Sequence, residues 1–366
     1  IIDISQHSSF ESIKTTLYKN DEFFCSEIVT DIQSFLKKEF NDINLTIDGQ
    51  YGPYTRKRVE LYKTKLEKNK LVIDDAHHNT DVQANDYILW YDKKLTVPGV
   101  KVIDYTEPKG LTFYDETGKK SRKGKWKPGE HDKCNIDLFI HWDAVVGSVT
   151  GALNSLKRNG YLTHFGIQGV KVKDEIVVYQ WANPNQFGAH AGTHFNHHSA
   201  AACDVNNAVY ITFKDWYKKN GYLLRPEIKA EFHNRQKEIL GLYTEQIIAI
   251  LRIAKAIATE RGNTLRFPVK ENGDPITTVY SPARTGEYKG CMTHLEATNQ
   301  KFDIAGFYHQ CMVLLLIRND LQKEFPELVE LWQLEKRKDE RLKWFKEIRS
   351  QWGWPDILDT LEALAL

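Results

Sequence analysis

The chain has 366 residues, 41% hydrophobic and 27% charged, which at roughly 150 residues per domain gives two or three globular units and excludes disorder or a collagen-like repeat. Lys+Arg 50 against Asp+Glu 49 leaves a net charge of +1, so the global charge draws the chain neither to nucleic acid nor to an anionic membrane. The longest apolar runs, such as Cys311 to Ile317, fall well short of the roughly 20 residues needed to cross a bilayer, and no membrane span is expected.

Five cysteines (Cys25, Cys134, Cys203, Cys291, Cys311) at irregular spacing argue for reduced thiols rather than a disulfide framework, and so for synthesis in a cytosol. The chain opens Ile-Ile-Asp and carries no signal-peptide pattern. Residues 1–23 have no clear period and are read as an arm. From Ser26 the apolar residues Ile28, Ile32, Phe35 and Leu36 recur at helical spacing, as do Val59, Tyr62 and Leu66. The loop between them, Ile47-Asp48-Gly49-Gln50-Tyr51-Gly52-Pro53-Tyr54-Thr55, has two glycines for turns and Thr55 as an N-cap. An ordinary helical hairpin satisfies all of this.

Residues 83–97 read as a linker leading to a strand that contains Val100 and Val102. Segment 115–133 is basic and glycine-bearing, most simply a solvated loop. Strands and helices then alternate: strand 136–141, helix 148–158, strand 162–168, strand 175–181 and an extended stretch from Ser199. That order predicts an α/β fold with a mixed central sheet flanked by helices. A long amphipathic helix is expected at 244–261, with Ile247, Ile250, Leu251, Ile253, Ala254 and Ile257 on its apolar face. Residues 321–366 are helical in pattern and rich in tryptophan, and are read as a C-terminal extension that either docks a protein partner or packs on the domain. Segments 214–243 and 262–290 are read as insertions that either wall a cleft or elaborate the surface.

Thirteen histidines supply the candidate chemistry. His141 ends the apolar strand Ile136-Asp137-Leu138-Phe139-Ile140-His141, at a sheet edge where ligands collect, although a lone histidine there is as readily a hydrogen-bonded edge residue. His294 and Asp303 lie nine positions apart on a segment expected to be a loop. Two histidines and an aspartate match the three protein ligands of a catalytic zinc site that leaves its fourth position to water.

Two resemblances follow from these residues. Ile32, Gln33, Leu36, Asp48, Gly49, Tyr51, Gly52 and Thr55 resemble the pattern of the small three-helix peptidoglycan-binding domains, over about residues 24–82. This implies sugar contacts from Asp48 and Tyr51. Phe139-Ile140-His141, Thr163-His164-Phe165-Gly166-Ile167, Val178-Tyr179-Gln180-Trp181, Gly188-Ala189-His190-Ala191-Gly192, Asn196-His197-His198-Ser199 and His294 with Lys301-Phe302-Asp303 stand in the order seen in zinc-dependent N-acetylmuramoyl-L-alanine amidases. These share a fold with peptidoglycan-recognition proteins and phage amidase lysozymes. The second resemblance implies an amidase domain over residues 98–320, with Zn2+ held by His141, His294 and Asp303. It also implies cleavage of the amide between N-acetylmuramic acid and L-alanine, with Lys301 facing the oxyanion. Relatives carry a glutamate as general base after the Asn-x-x-Ser. Here Cys203 falls at that position, and Asp204 reaches it only if the strand is shifted by one residue. His190 is expected to line the substrate groove, and His164 either to do the same or to be hydrogen-bonded within its strand. His194, His197 and His198 could form an adventitious metal cluster, Glu296 is expected to be structural, and His233→Ala is expected to leave activity intact. The implied setting is a hydrolase acting at the bacterial cell wall, virion-associated (an endolysin of a phage) or secreted. The alternative is a non-catalytic peptidoglycan-binding or structural component of a phage tail or secreted assembly.

Overall fold

The computed structural model describes residues 33–34, 36–37, 84–90, 93–106, 124–125, 133–144, 146, 149–169, 176–182, 186–220, 222, 225–340 and 343. The chain divides into two compact units, Ile1–Asp81 and Val82–Leu366. In the first, Gln33, Ser34, Leu36 and Lys37 are helical, with Gln33 and Leu36 buried. Asp48 and Tyr51 lie outside the described residues.

The second unit is a mixed α/β structure. Its seven-stranded sheet has the order β1-β4-β8-β7-β10-β6-β13. These strands are β1 Ala84–Asn85, β4 Lys101–Asp104, β6 Ile136–Trp142, β7 Phe165–Ile167, β8 Val177–Gln180, β10 Ser199–Val205 and β13 Gly290–Thr293, while β5 Gly124–Lys125 and β9 Gln186–Phe187 pair separately. β6 runs parallel to both β10 and β13, and β10 runs parallel to β7, whereas β7 and β8 are antiparallel. Every residue of β6 and β10 is buried, as expected of central strands covered on both faces, and this explains why their sequences read as continuous apolar runs.

Alternation separates those two faces. Leu138, Ile140 and Trp142 of β6, with Ala201, Cys203 and Val205 of β10, point into a core closed by Ile247, Ile250, Leu251, Ala254 and Ile257. These last residues lie on the helix Thr244–Glu260, one residue short of the span that its periodicity predicts. The helix Phe307–Ile317 completes this core and is buried almost all round, as its uniformly apolar sequence requires. Phe139 and Ala202 face the other way, into a smaller cluster with Phe195, Tyr288 and Met292. Behind β6 the fully buried Asp137 is held by Arg261, at the end of the long helix, and by Asn263, each 2.8 Å from its Oδ1.

Two segments differ from the sequence expectation. Residues 83–97 are not a bare linker: β1 pairs with β4, and β2 Tyr87–Trp90 with β3 Lys93–Thr96 makes a hairpin that buries Ile88 and Trp90 in the main core. Residues just beyond 320 are not peripheral. Leu321, Phe325, Leu328 and Trp332 belong to the same core, and Trp332 stacks on Phe267 with the rings 6.1 Å apart and 5° from parallel. Their aromatic content, which suits docking, is spent on packing inside the unit. The four described cysteines are buried and form no disulfide with one another, and among the described residues no helix is long and apolar enough to cross a membrane.

Candidate metal centre

The carboxyl ends of β10, β6 and β13 lie side by side, and functional groups gather at this edge in sheets of parallel strands. The register aligns Asp204 with His141, and Thr293 with Ile140. His141 therefore leaves the sheet next to Asp204 on one side. On the other side is His294, which begins immediately after β13 and is the first residue of a one-turn helix, His294–Ala297. The sequence signal for this turn is Thr293-x-x-Glu296, a capping box. Thr293 Oγ1 accepts from the Leu295 amide, while Glu296 Oε2 accepts from the Thr293 amide at 2.7 Å and from its hydroxyl at 2.9 Å. Tyr308 donates to the same oxygen at 3.0 Å. Burial outweighs these bonds and pushes the Glu296 carboxyl up to about 8, so it serves here as a structural acid.

Asp303 returns to His294 through the loop that follows. Its carbonyl accepts from the Leu295 amide at 2.6 Å, closing the loop, and its Oδ2 lies 3.2 Å from His294 Nδ1 and 3.5 Å from His141 Nδ1. The donor atoms of His141, His294 and Asp303 all lie within 4.8 Å of one another, and this is the group among the described residues able to hold a metal ion. The spacing fits. Bonds of 2.0–2.1 Å to a tetrahedral ion such as zinc put neighbouring donors about 3.3–3.4 Å apart.

The electrostatics fit as well. Burial pulls His141 down to about 4, against the opposing pull of Asp303, and so keeps the imidazole neutral. Burial also disfavours the charged carboxylate of Asp303, but the hydrogen bonds to His141 and His294 prevail and hold it well below the usual range. A neutral imidazole beside an ionised carboxylate is the state that binds a cation.

The second nitrogen of His141 is also committed, with Nε2 lying 3.0 Å from Nδ1 of His190. Such a partner fixes the tautomer and ring orientation of a ligand. His190 is itself held by its backbone, since its amide and that of Ala191 both donate to Asn196 Oδ1, at 2.8 and 3.0 Å. Its Nε2 is buried and has no hydrogen-bond partner among the described residues. Beneath these rings lies Phe139, fully buried, stacked on His141 at 4.8 Å and edge-on to His294 at 5.6 Å. Sequence reasoning took Phe139 only as part of a motif. Its odd-numbered place with His141 on a period-two strand was the available signal for this floor.

The remaining candidates separate by face. Asp204 is on the His141 side, buried, and accepts from Thr163 Oγ1 at 2.8 Å. Burial pushes it up to about 7 against that hydrogen bond, with the charges of Asp143 and Asp303 acting in the same direction as burial. Cys203 points into the apolar core on the opposite face, where burial drives its thiol well above the ordinary range. That placement removes it from reach of the centre, and no slip of the strand is needed to bring Asp204 there. Lys301 is exposed, and its ammonium is close enough to oppose protonation of His141. His164 is buried, with Nδ1 accepting from the Ala202 amide at 3.1 Å, so that nitrogen serves the backbone of β10. His194 and His198 stack face to face at 4.4 Å, and they are not part of a metal-holding group among the described residues. His233, which the sequence left without a role, bonds through Nε2 to the Lys301 carbonyl at 2.9 Å.

No protein-family model matches the chain, and no curated protein matches it. Among solved structures it is similar to AmpDH3 from Pseudomonas aeruginosa at 12% identity and a TM-score of 0.26, over 38% of this chain and 49% of that one. The matched region thus spans about half the length of that protein, and the likeness is too slight to bear on the chemistry.

Proposed function

We propose that the chain is a zinc-dependent peptidoglycan hydrolase that cleaves the amide between N-acetylmuramic acid and L-alanine. The observation that carries this reading is the convergence of His141, His294 and Asp303, from separate stretches of chain, with donor atoms within 4.8 Å of one another and Asp303 3.2 and 3.5 Å from the two imidazoles. The order of the amidase-like motifs adds the substrate class. When bound, the ion would acidify a water molecule and polarise the scissile carbonyl.

The chain's own groups divide the rest of the work. Asp204, ionised, takes the proton given up by the nucleophile and returns it to the leaving amine. Thr163 holds one oxygen of that carboxylate and leaves the other for the proton. Lys301 places positive charge where the tetrahedral oxyanion develops, an interaction absent from the ground state. His190 orients His141 from behind and borders the groove. Residues 24–82, with Asp48 and Tyr51, act as the peptidoglycan-binding domain, and the enzyme works at the bacterial cell wall.

Mass analysis of purified peptidoglycan after digestion tests the reading. The expected products are intact glycan and intact stem peptides, lost on chelation, restored by zinc and absent with His294→Ala. Products cut within the glycan or within the peptide, or lysis unchanged by chelator, would overturn it.

A further inference from the structure

The segment that delivers Asp303 has little regular structure of its own, yet a separate element grips it on both sides of the ligand. That element is the hairpin of β11 Glu227–Phe232 and β12 Arg235–Leu240. Its two-residue turn has φ of 46° at His233 and 60° at Asn234, the positive values at both central positions that a type I′ turn requires. Ile228, Ala230 and Ile239 root the hairpin in the main core. The His233 amide ties the tip to the Thr277 carbonyl at 2.8 Å.

From this base the hairpin meets residues 301–306 in three ways. The His233 ring donates from Nε2 to the Lys301 carbonyl at 2.9 Å. Phe232 stacks on Phe302 with the rings 5.1 Å apart and 27° from parallel, and Lys237 Nζ sits 4.8 Å from the centre of the same Phe302 ring. Ile228 fills the space beside Gly306, where an added Cβ would come within 2.5 Å of its Cδ1. The contacts bracket Asp303.

We propose that the β11–β12 hairpin is a latch for the metal-ligand loop, with His233 and Phe232 as positioning residues that hold the Asp303 carboxylate at its donor spacing. The inference rests on the metal-centre reading. It also replaces the sequence expectation that His233 is without consequence. Partners behind a metal ligand typically change affinity 10–100-fold when removed, because the ligand then loses orientation rather than identity.

The test measures zinc affinity of the full chain by competition with a chromophoric chelator, together with the visible spectrum of the Co2+-substituted protein. The variants are His233→Ala, Phe232→Ala and His233→Gln. The wild type is expected to bind one equivalent. His233→Ala and Phe232→Ala should bind roughly 10–100-fold more weakly, with an altered Co2+ band, and His233→Gln, whose amide can donate to the same carbonyl, should recover most of the loss. If Phe232→Ala does not fold, the His233 pair carries the test. Tight wild-type binding matched by His233→Ala with an unchanged spectrum overturns the latch alone. A wild type that binds neither ion overturns the metal-centre reading and the latch with it.

Discussion

Replacing Arg261 with methionine keeps most of the side-chain stem and removes the cation facing Asp137. In the native chain Arg261 Nε donates to Asp137 Oδ1 at 2.8 Å and its Nη2 donates to the Cys134 carbonyl at 2.6 Å. Asp137 is fully buried, its Oδ2 has no hydrogen-bond partner among the described residues, and Asn263 still donates to Oδ1 once the guanidinium is gone. Unit charges about 4 Å apart at an effective dielectric of about 20 attract by about 4 kcal/mol. Breaking a buried pair by removing one partner costs about 3–5 kcal/mol, because the surviving charge is stranded. Both routes predict that Arg261→Met destabilises by about 3–5 kcal/mol in urea unfolding at pH 7, measured with chelator present so that metal binding does not contribute. Asp137→Asn in the same background removes the stranded charge. The double variant is therefore expected to be more stable than Arg261→Met alone, with a coupling energy of at least about 2 kcal/mol. A cost below about 1 kcal/mol, or strictly additive effects, would refute the claim that this pair carries the charge balance behind β6.

Asp204→Asn should lower kcat/KM about 10²–10⁴-fold and abolish the acid limb of its pH profile, which in the wild type falls as the carboxyl, pushed up to about 7, takes its proton. Cys203→Ala should retain activity within a few fold, and a Cys203 variant as inactive as the Asp204 variant would reverse the two assignments. For Glu296 the folded-state value of about 8 lies above the ordinary 4.5, so the unfolded chain releases that proton first and stability falls as pH rises between those values. Glu296→Gln is therefore expected to gain about 3 kcal/mol relative to wild type between pH 5 and pH 8, read from urea midpoints at the two pH values, and parallel pH profiles would show that the acid is not held neutral. Phe139→Ala should cost about 3–5 kcal/mol in unfolding, as expected for emptying a fully buried aromatic site, and a loss under 1 kcal/mol would deny it the role of floor.

The parts of the molecule that were legible in the sequence are those in which burial imposes a period. The helix at Thr244–Glu260 and the continuous apolar strand at Ile136–Trp142 could be read because each contributes many side chains to one core. The hairpin at residues 87–96 could not, because Lys93 and Lys94 lie exposed and only Ile88 and Trp90 are fully buried, with Leu95 partly so, too few positions to register as alternation. The β11–β12 hairpin was obscured differently: its turn uses His233 and Asn234, with no glycine to mark it. His294 was expected on a loop because Thr and Asn break helical periodicity, whereas Thr293 and Glu296 were already a helix-start signal four residues long. Trp332 illustrates a choice that composition leaves open. A tryptophan-rich tail suits a partner surface and internal packing equally, and the contact with Phe267 is what puts Trp332 inside the unit.

The choice between Cys203 and Asp204 depends on parity, which no motif supplies. A parallel register that sets Asp204 beside His141 also sets Ala202 beside Phe139 and Cys203 beside Ile140, so each strand sends the same alternate set of residues to each face. Slipping β10 by one residue would bring Cys203 to the His141 face, but it would also drive Asp204 into the core lined by Ile247, Ile250 and Leu251. A polar group buried there without its hydrogen bond costs about 2–7 kcal/mol, and the bond from Thr163 would be lost in the same move. The alternative register gains nothing in return, since it takes the Cys203 thiol out of an apolar core in which it is already buried. The apolar contacts on the far side of the sheet therefore decide which of the two side chains stands beside His141 at the candidate metal centre.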